Sequence, residues 1–382
     1  MRILHTSDWH LGKRLFKLDR TQEHQFFLNW LVSTLIEKKI DVLLIAGDIF
    51  DTPTPPHQSL EMFYEFLHRV SQETNTQTLI IAGNHDSGLL LEAPAKLLKL
   101  HRVKVWGKLS PEPLDHWYKV QVENEALEFC AIPFFRSYEL LPQGEGDALD
   151  ALKKYLTKER TLPQILMLHH LAGIAEAGGS EQVINLTGVN FIPLETLRSF
   201  DYVALGHIHK AQPMGKTIRY SGSPLAMRFS ETSHPKSVVL LNLKGGELTQ
   251  ELLPIPLFRK LHCLSLNLEN CLKKIQELPL CQDELRPMVE IQITLTQPKV
   301  GLIDEIKKAL EERGYEMLSY LPSYSELKKT EKRHENLFDL SPLELFSEFY
   351  QQKYPDTKEI PSDLINDFKE LVEKVGHATP KP

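Results

Sequence analysis

Five short stretches of the chain concentrate residue types that bind metal ions: Ser7-Asp8-Trp9-His10, Gly47-Asp48-Ile49-Phe50-Asp51, Gly83-Asn84-His85-Asp86, His169-His170 and Gly206-His207-Ile208-His209. Carboxylate, imidazole and amide oxygen without thiolate disfavour a structural zinc site. They suit Mn²⁺, with Mg²⁺ or Fe²⁺ as the other options, at octahedral geometry. Any one of the five stretches, read alone, is a turn or a core residue; five together make that reading untenable. Asp8, His10, Asp48, Asn84, one histidine of the 169–170 pair, His207 and His209 give seven ligands. Seven are too many for one ion and right for two that share a bridging carboxylate. Two ions roughly 3.5–4 Å apart suit in-line displacement at phosphorus, so the chemistry expected is phosphoester hydrolysis.

Residues so far apart in sequence converge only if the elements before them deliver them to one place. Each stretch follows an apolar run that reads as a strand: Arg2–His5, Asp41–Ala46, Thr78–Ala82, Ile165–Leu168 and Tyr202–Leu205, with further candidates at Phe129–Ile132 and Ser237–Leu243. Between the second and third runs Leu60, Phe63, Leu67 and Val70 recur at helical spacing, as do Phe27, Leu31 and Leu35 before the second. Alternating strands and amphipathic helices indicate a layered α/β (α+β) domain, and in such sheets sites form at the strand C-terminal ends. Gly47, Gly83 and Gly206 each precede a ligand, where a tight turn needs permissive backbone angles or close approach.

The wording of the motifs resembles the calcineurin-like metallophosphoesterase superfamily, and within it the SbcD family of nuclease subunits. The stretches that carry the likeness are His5-Thr6-Ser7-Asp8-Trp9-His10-Leu11-Gly12, Gly47-Asp48-Ile49-Phe50-Asp51-Thr52-Pro53, Gly83-Asn84-His85-Asp86-Ser87, Ala204-Leu205-Gly206-His207-Ile208-His209 and Tyr220-Ser221-Gly222-Ser223-Pro224. The resemblance implies a β-sandwich flanked by helices, with Asp8, His10 and His209 on one metal, Asn84, His170 and His207 on the other, and Asp48 bridging. His170 is chosen over His169 on its spacing to Gly206. The resemblance also implies that His85 lies beside the scissile phosphate as a non-ligand that protonates the leaving oxygen, with Asp86 orienting it or capping a turn. His5, Asp51 and His57 are set aside as supporting residues. The implied activity is double-strand exonuclease and single-strand or hairpin endonuclease work on DNA in repair, recombination or replication. The implied assembly is a homodimer within a heterotetramer, completed by an SbcC-like coiled-coil ATPase.

The resemblance is strong over residues 1–257 and weaker beyond. After the Pro-punctuated Leu253-Pro254-Ile255-Pro256, a small βαβαβ pattern is expected over 258–325, at Cys263–Leu268, Asn270–Glu277, Val289–Leu295, Gly301–Arg313 and Glu316–Ser319. By resemblance it is a DNA-capping domain. Residues 326–382 open on a charged linker, Glu326–Glu335, and continue in two amphipathic helices, Pro342–Gln351 and Ser362–Val375, read as docking elements for the ATPase.

Composition bounds the rest. Apolar residues make up 42% of the 382, enough for a substantial core in two or three domains at roughly 150 residues each. No apolar run approaches the roughly 20 residues that cross a bilayer, and Met1-Arg2-Ile3-Leu4-His5 lacks a signal peptide's apolar stretch, so a soluble cytoplasmic protein without a membrane partner is expected. Cys130, Cys263, Cys271 and Cys281 form no CxxC pair and read as reduced thiols. A net charge of −7 argues against sequence-independent nucleic-acid binding over the whole surface, so DNA contacts must be local or shared with a partner. No GxxxxGK[ST] loop is present: Gly215-Lys216-Thr217 has Lys210 where the first glycine is required, so ATP-driven work falls to a partner. The alternative is a small-molecule or phosphoprotein metallophosphatase on the same centre. A phosphoprotein phosphatase would read GDxxDRG and GNHE, where this chain has Asp51-Thr52-Pro53 and Asp86. A non-catalytic adaptor would have no need of seven ligands.

Overall fold

The computed structural model describes residues 1–141, 144–174, 191–296, 299–324, 342–353, 360–361, 364–365 and 368. Its first half runs β1 (Arg2–Thr6), the hairpin β2 (Arg14–Leu15) and β3 (Leu18–Asp19), α1 (Thr21–Glu37), β4 (Val42–Ala46), α2 (His57–Glu73), β5 (Gln77–Ile81), α3 (Gly88–Glu92), α4 (Ala95–Leu100) and β6 (Val103–Trp106). It continues with β7 (Trp117–Val122), β8 (Glu125–Ile132), α5 (Ser137–Leu140), α6 (Ala148–Leu156), β9 (Gln164–His169), α7 (Leu194–Leu197), β10 (Tyr202–Gly206), β11 (Gln212–Pro213), β12 (Ile218–Tyr220), β13 (Ser237–Lys244) and β14 (Glu247–Pro254).

Two six-stranded sheets face each other, ordered β14-β13-β1-β4-β5-β6 and β11-β12-β10-β9-β8-β7. In the first, β1, β4, β5 and β6 are parallel; in the second, β8, β9, β10 and β12 are. Parallel strands covered on both sides are continuously apolar, and β4 and β9 are buried at every residue. Alternation then divides each strand between two cores. Ile3, Val42, Leu44, Ala46, Ile165, Met167, Tyr202 and Ala204 meet between the sheets. Leu4, Leu43 and Ile45 face α1 and α2, whose Phe27, Leu31, Leu35, Phe63, Leu67 and Val70 supply the other side. Leu166, Leu168, Val203 and Leu205 face Leu152 and Leu156 of α6 and Leu197 of α7. The result is helix, sheet, sheet, helix, the layered sandwich expected.

Beyond β14 come β15 (Leu261–Asn267), α8 (Cys271–Gln276), β16 (Met288–Leu295), α9 (Leu302–Glu312) and β17 (Glu316–Tyr324), with the strands in the order β15-β16-β17. Arg259 ties this unit to the sandwich by pairing with Glu316 at 2.8 Å and Glu23 of α1 at 3.8 Å. Residues Met1–Ser323 form one compact unit and Tyr324–Pro382 a second. In the second, α10 (Pro342–Lys353) is described, and Phe346 stacks on Phe368 with ring centroids 4.2 Å apart. The charged segment at 326–335 and most of the expected helix at 362–375 lie outside the described residues. No described helix is long and apolar enough to cross a membrane, and the four cysteines carry free thiols.

Candidate metal centre

All five motif stretches leave the C-terminal ends of β1, β4, β5, β9 and β10, at the mouth of the space between the two sheets. Loops packed this closely need backbone that ordinary residues avoid. Asp8, His10, Asp48 and His207 have φ of +55°, +49°, +52° and +97°. Non-glycine residues in this region cost on the order of 1–3 kcal/mol each and persist only where the surroundings impose them. What imposes them here is stitching between loops. The amide of Asp8 donates to Gly47 O at 3.0 Å, that of His10 to Asp48 O at 3.0 Å, and that of His207 to the Asp8 carboxylate at 2.9 Å. Gly47 itself turns at φ +86°. Gly83 and Gly206 are needed for close approach: a Cβ at Gly83 would sit 2.2 Å from Asp48 Oδ1, and one at Gly206 2.0 Å from Ala46 O.

The side chains converge in two overlapping groups. In one, the Nε2 atoms of His10 and His209 lie 3.1 Å apart, with Asp8 within the same cluster. In the other, Asn84 Oδ1 lies 3.1 Å from His169 Nε2 and 2.9 Å from His207 Nδ1. Between them Asp48 Oδ2 is 3.5 Å from His10 Nε2 and 3.4 Å from His169 Nε2. Imidazole nitrogens turned on one another beside two carboxylates, nearly all cut off from solvent, are an arrangement that bound cations resolve. The donor set, oxygen and nitrogen without sulfur, fits divalent ions.

Hydrogen bonds behind the cluster fix which ring atom faces it. Nδ1–H of His169 donates to Ala46 O at 2.7 Å, which leaves Nε2 as the lone pair toward Asp48 and Asn84. Glu231, fully buried, stands 3.8 Å behind His209 Nδ1 and accepts from Lys236 at 2.9 Å. Ser7 donates to Asp8 and meets Ser221 at 2.7 Å. The electrostatics follow from this crowding. Burial pushes the Asp48 carboxyl up, but His169, His10 and His85 together overturn that and hold it far below the usual range. Burial lowers the His169 imidazole, and Asp48 more than compensates, raising it to about 9. His207, desolvated and beside His169, drops to about 3.

The structure corrects two expectations. His169, not His170, turns into the cluster. Alternation along β9 puts His169 on the face of Ile165 and Met167, between the sheets, while His170 falls on the face of Leu166 and Leu168. There its Nε2–H donates to Phe135 O at 3.0 Å and its ring stacks on Phe134. Asp86 does not orient His85. Its carboxylate accepts the amides of Gly83, Ile49 and Phe50 at 2.8, 3.2 and 2.9 Å, tying the third motif loop to the second. His85 is held instead by Nδ1–H donation to the Asp51 carbonyl at 2.8 Å and by its amide to Asp48 Oδ1 at 2.9 Å. Its ring packs edge-on against His10 at 4.8 Å. Asp51, a supporting residue by sequence, lies 3.4 Å from His10 Nδ1 and accepts from Lys13 at 2.9 Å. His5 bonds Tyr202 at 3.0 Å beneath the centre. Glu231 and Lys236 belong to no motif spacing, and nothing in the sequence marks them.

This fold and centre match the family model of the calcineurin-like phosphoesterases over residues 1–211, so the chain belongs to that family and is a metal-dependent phosphoesterase. A second model, described as the Type 5 capsule protein repressor C-terminal domain, matches residues 257–354. The more particular likeness is to curated relatives named as the SbcD component of the SbcCD nuclease. That of Rhodobacter capsulatus is 34% identical over 289 residues, covering 68% of this chain and 71% of its own length. That of Bacillus subtilis is 34% identical over 268 residues, covering 65% and 67%. That of Escherichia coli K12 is 28% identical over 370 residues, covering 91% and 92%.

Proposed function

We propose that this chain is a two-metal DNA nuclease that cleaves phosphodiester bonds as a double-strand exonuclease and a single-strand or hairpin endonuclease. The reading rests on the convergence of Asp8, His10, Asp48, Asn84, His169, His207 and His209 on strained loops at one sheet mouth. Asp8, His10 and His209 would hold one ion, Asn84, His169 and His207 the other, with Asp48 shared. Bound divalent ions, Mn²⁺ by preference, would supply Lewis acidity toward the phosphoryl oxygens and activation of a water. The protein's own part is proton handling and placement. Because His85 commits Nδ1–H to the Asp51 carbonyl, its Nε2 is the atom free to give a proton to the leaving oxygen. Asp86 keeps the loop that carries Asp48 and Asp51 against the loop that carries Asn84 and His85.

The relatives' name supports a DNA substrate and membership of a complex, with an SbcC-like coiled-coil ATPase as partner in the cytoplasm. We assign residues 1–257 to the nuclease, 258–325 to a DNA-capping domain, and 326–382 to the linker and helices that dock the ATPase. Exposed Leu89, Leu97 and Leu100 on α3 and α4 support a homodimer face. The test is hydrolysis of bis(p-nitrophenyl) phosphate against p-nitrophenyl phosphate with manganese. Diester preference is expected, and monoester preference would turn the reading to a phosphatase.

A further inference from the structure

Beside the centre lies a cleft of about 460 Å³ that this chemistry leaves unused, lined by Lys13, Arg14, Phe16, Arg228, Phe229 and Glu290 among others. Its inner wall adjoins the metal cluster through Lys13, which donates to Asp51, itself 3.4 Å from His10. Phe16 sits at the tip of the two-residue hairpin between β2 and β3, with φ +54°. That position favours glycine and strains an aromatic residue. Core packing does not compensate, since the residue is 56% exposed. Behind it stands Phe229, ring centroids 6.1 Å apart, buried with Leu15 and Met288 as a fixed floor. A large aromatic face is therefore held out, at a local cost, next to the centre.

Cations surround it. Arg14 is exposed and bonds the carbonyl of Lys17 at 2.9 Å, with no ion pair among the described residues. Arg228 is exposed, and its side chain makes no ion pair or hydrogen bond among the described residues. Glu290 brings one carboxylate to the wall, and it accepts from Gln292 at 3.0 Å. An open ring face beside guanidinium groups held in no ion pair recognises a planar base joined to a phosphate. A base inside a duplex has both faces covered by its neighbours and cannot stack on Phe16.

We infer that this cleft is a subsite for one unpaired nucleotide next to the scissile phosphate, with its base on Phe16 and its phosphate on Arg228 and Arg14. The inference rests on the nuclease reading above and makes it more specific: single-stranded and frayed ends are favoured over closed duplex.

The test is equilibrium binding, in EDTA so that nothing is cleaved, of a 2-aminopurine-labelled single strand and of a blunt hairpin duplex. Phe16→Ala should weaken single-strand binding about ten-fold or more, the scale of a lost stacked base, and abolish the fluorescence quenching. Duplex binding should change far less, and Phe16→Trp should keep both properties. Arg228→Gln should flatten the salt dependence of single-strand binding by roughly 0.7 in log–log slope, one phosphate contact. Equal losses on both DNAs, or unchanged quenching in Phe16→Ala, would overturn the subsite while wild-type manganese-dependent DNA cleavage leaves the nuclease reading intact. Wild-type protein that neither binds nor cleaves either DNA would overturn both.

Discussion

Two adjacent histidines divide the work at the end of β9, and which does which is a matter of parity. His169 faces Asp48 and Asn84, while His170 faces the phenylalanines of the neighbouring loop. Burial lowers the His170 imidazole to about 4, so it stays neutral and can serve as a structural donor. His169→Ala should therefore cost a metal ion and at least about 100-fold in manganese-dependent hydrolysis, with little change in melting temperature of the metal-free protein. His170→Ala should keep the metal content and lose roughly 2–4 kcal/mol of stability, because it opens a cavity and strands the Phe135 carbonyl. Elemental analysis and thermal melts of the two variants separate the roles, and the opposite pattern would reinstate His170 as ligand.

Among the elements, the loops depend on glycine for contact distance. A methyl at Gly83 would meet both Asp48 Oδ1, at 2.2 Å, and the Asp48 amide, at 2.3 Å, and no rotamer relieves a backbone clash. Gly83→Ala should lower metal affinity by about 10–100-fold, the scale of lost ligand support, while far-UV circular dichroism keeps its helix and strand content. Calorimetric titration with Mn²⁺ reads the first effect, and unchanged affinity would mean the loops yield freely. The central strands are legible in sequence because burial on both faces makes them unbroken apolar runs; β4 and β9 fall within one or two residues of their expected spans. The same burial hides the parity of His169 and His170, since neither face of β9 is polar. Edge strands β7 and β14 escape a sequence reading, as their exposed residues dilute the apolar signal. The two-residue strands β2 and β3 are too short to show any pattern. Asp86 is misleading in sequence because adjacency to His85 suggests a partner, whereas the carboxylate is drawn to three otherwise unpaired amides.

At the scale of the molecule, the compact unit ends at Ser323, and α10 carries Leu343, Phe346, Phe349 and Tyr350 beyond it. Phe349 is 61% exposed, an aromatic anchor of the kind that dominates helix-in-groove binding. With a net charge of −7, the chain also benefits from a partner or second copy to hold a polyanion. Truncation after Tyr324 should leave a folded, metal-binding phosphodiesterase that no longer co-purifies with a coiled-coil ATPase of the SbcC kind. Retained co-purification would put the docking surface elsewhere, and loss of the folded state would make the second unit part of the core.

The central claim is that Asp48 joins two ions in one phosphoesterase centre, and metal stoichiometry tests it most directly. Elemental analysis of manganese-loaded protein should give two ions per chain for the wild type and fewer than two for Asp48→Ala, with hydrolysis of bis(p-nitrophenyl) phosphate abolished in the variant. One ion per chain in active wild-type protein, or near-wild-type hydrolysis by Asp48→Ala, would contradict the account.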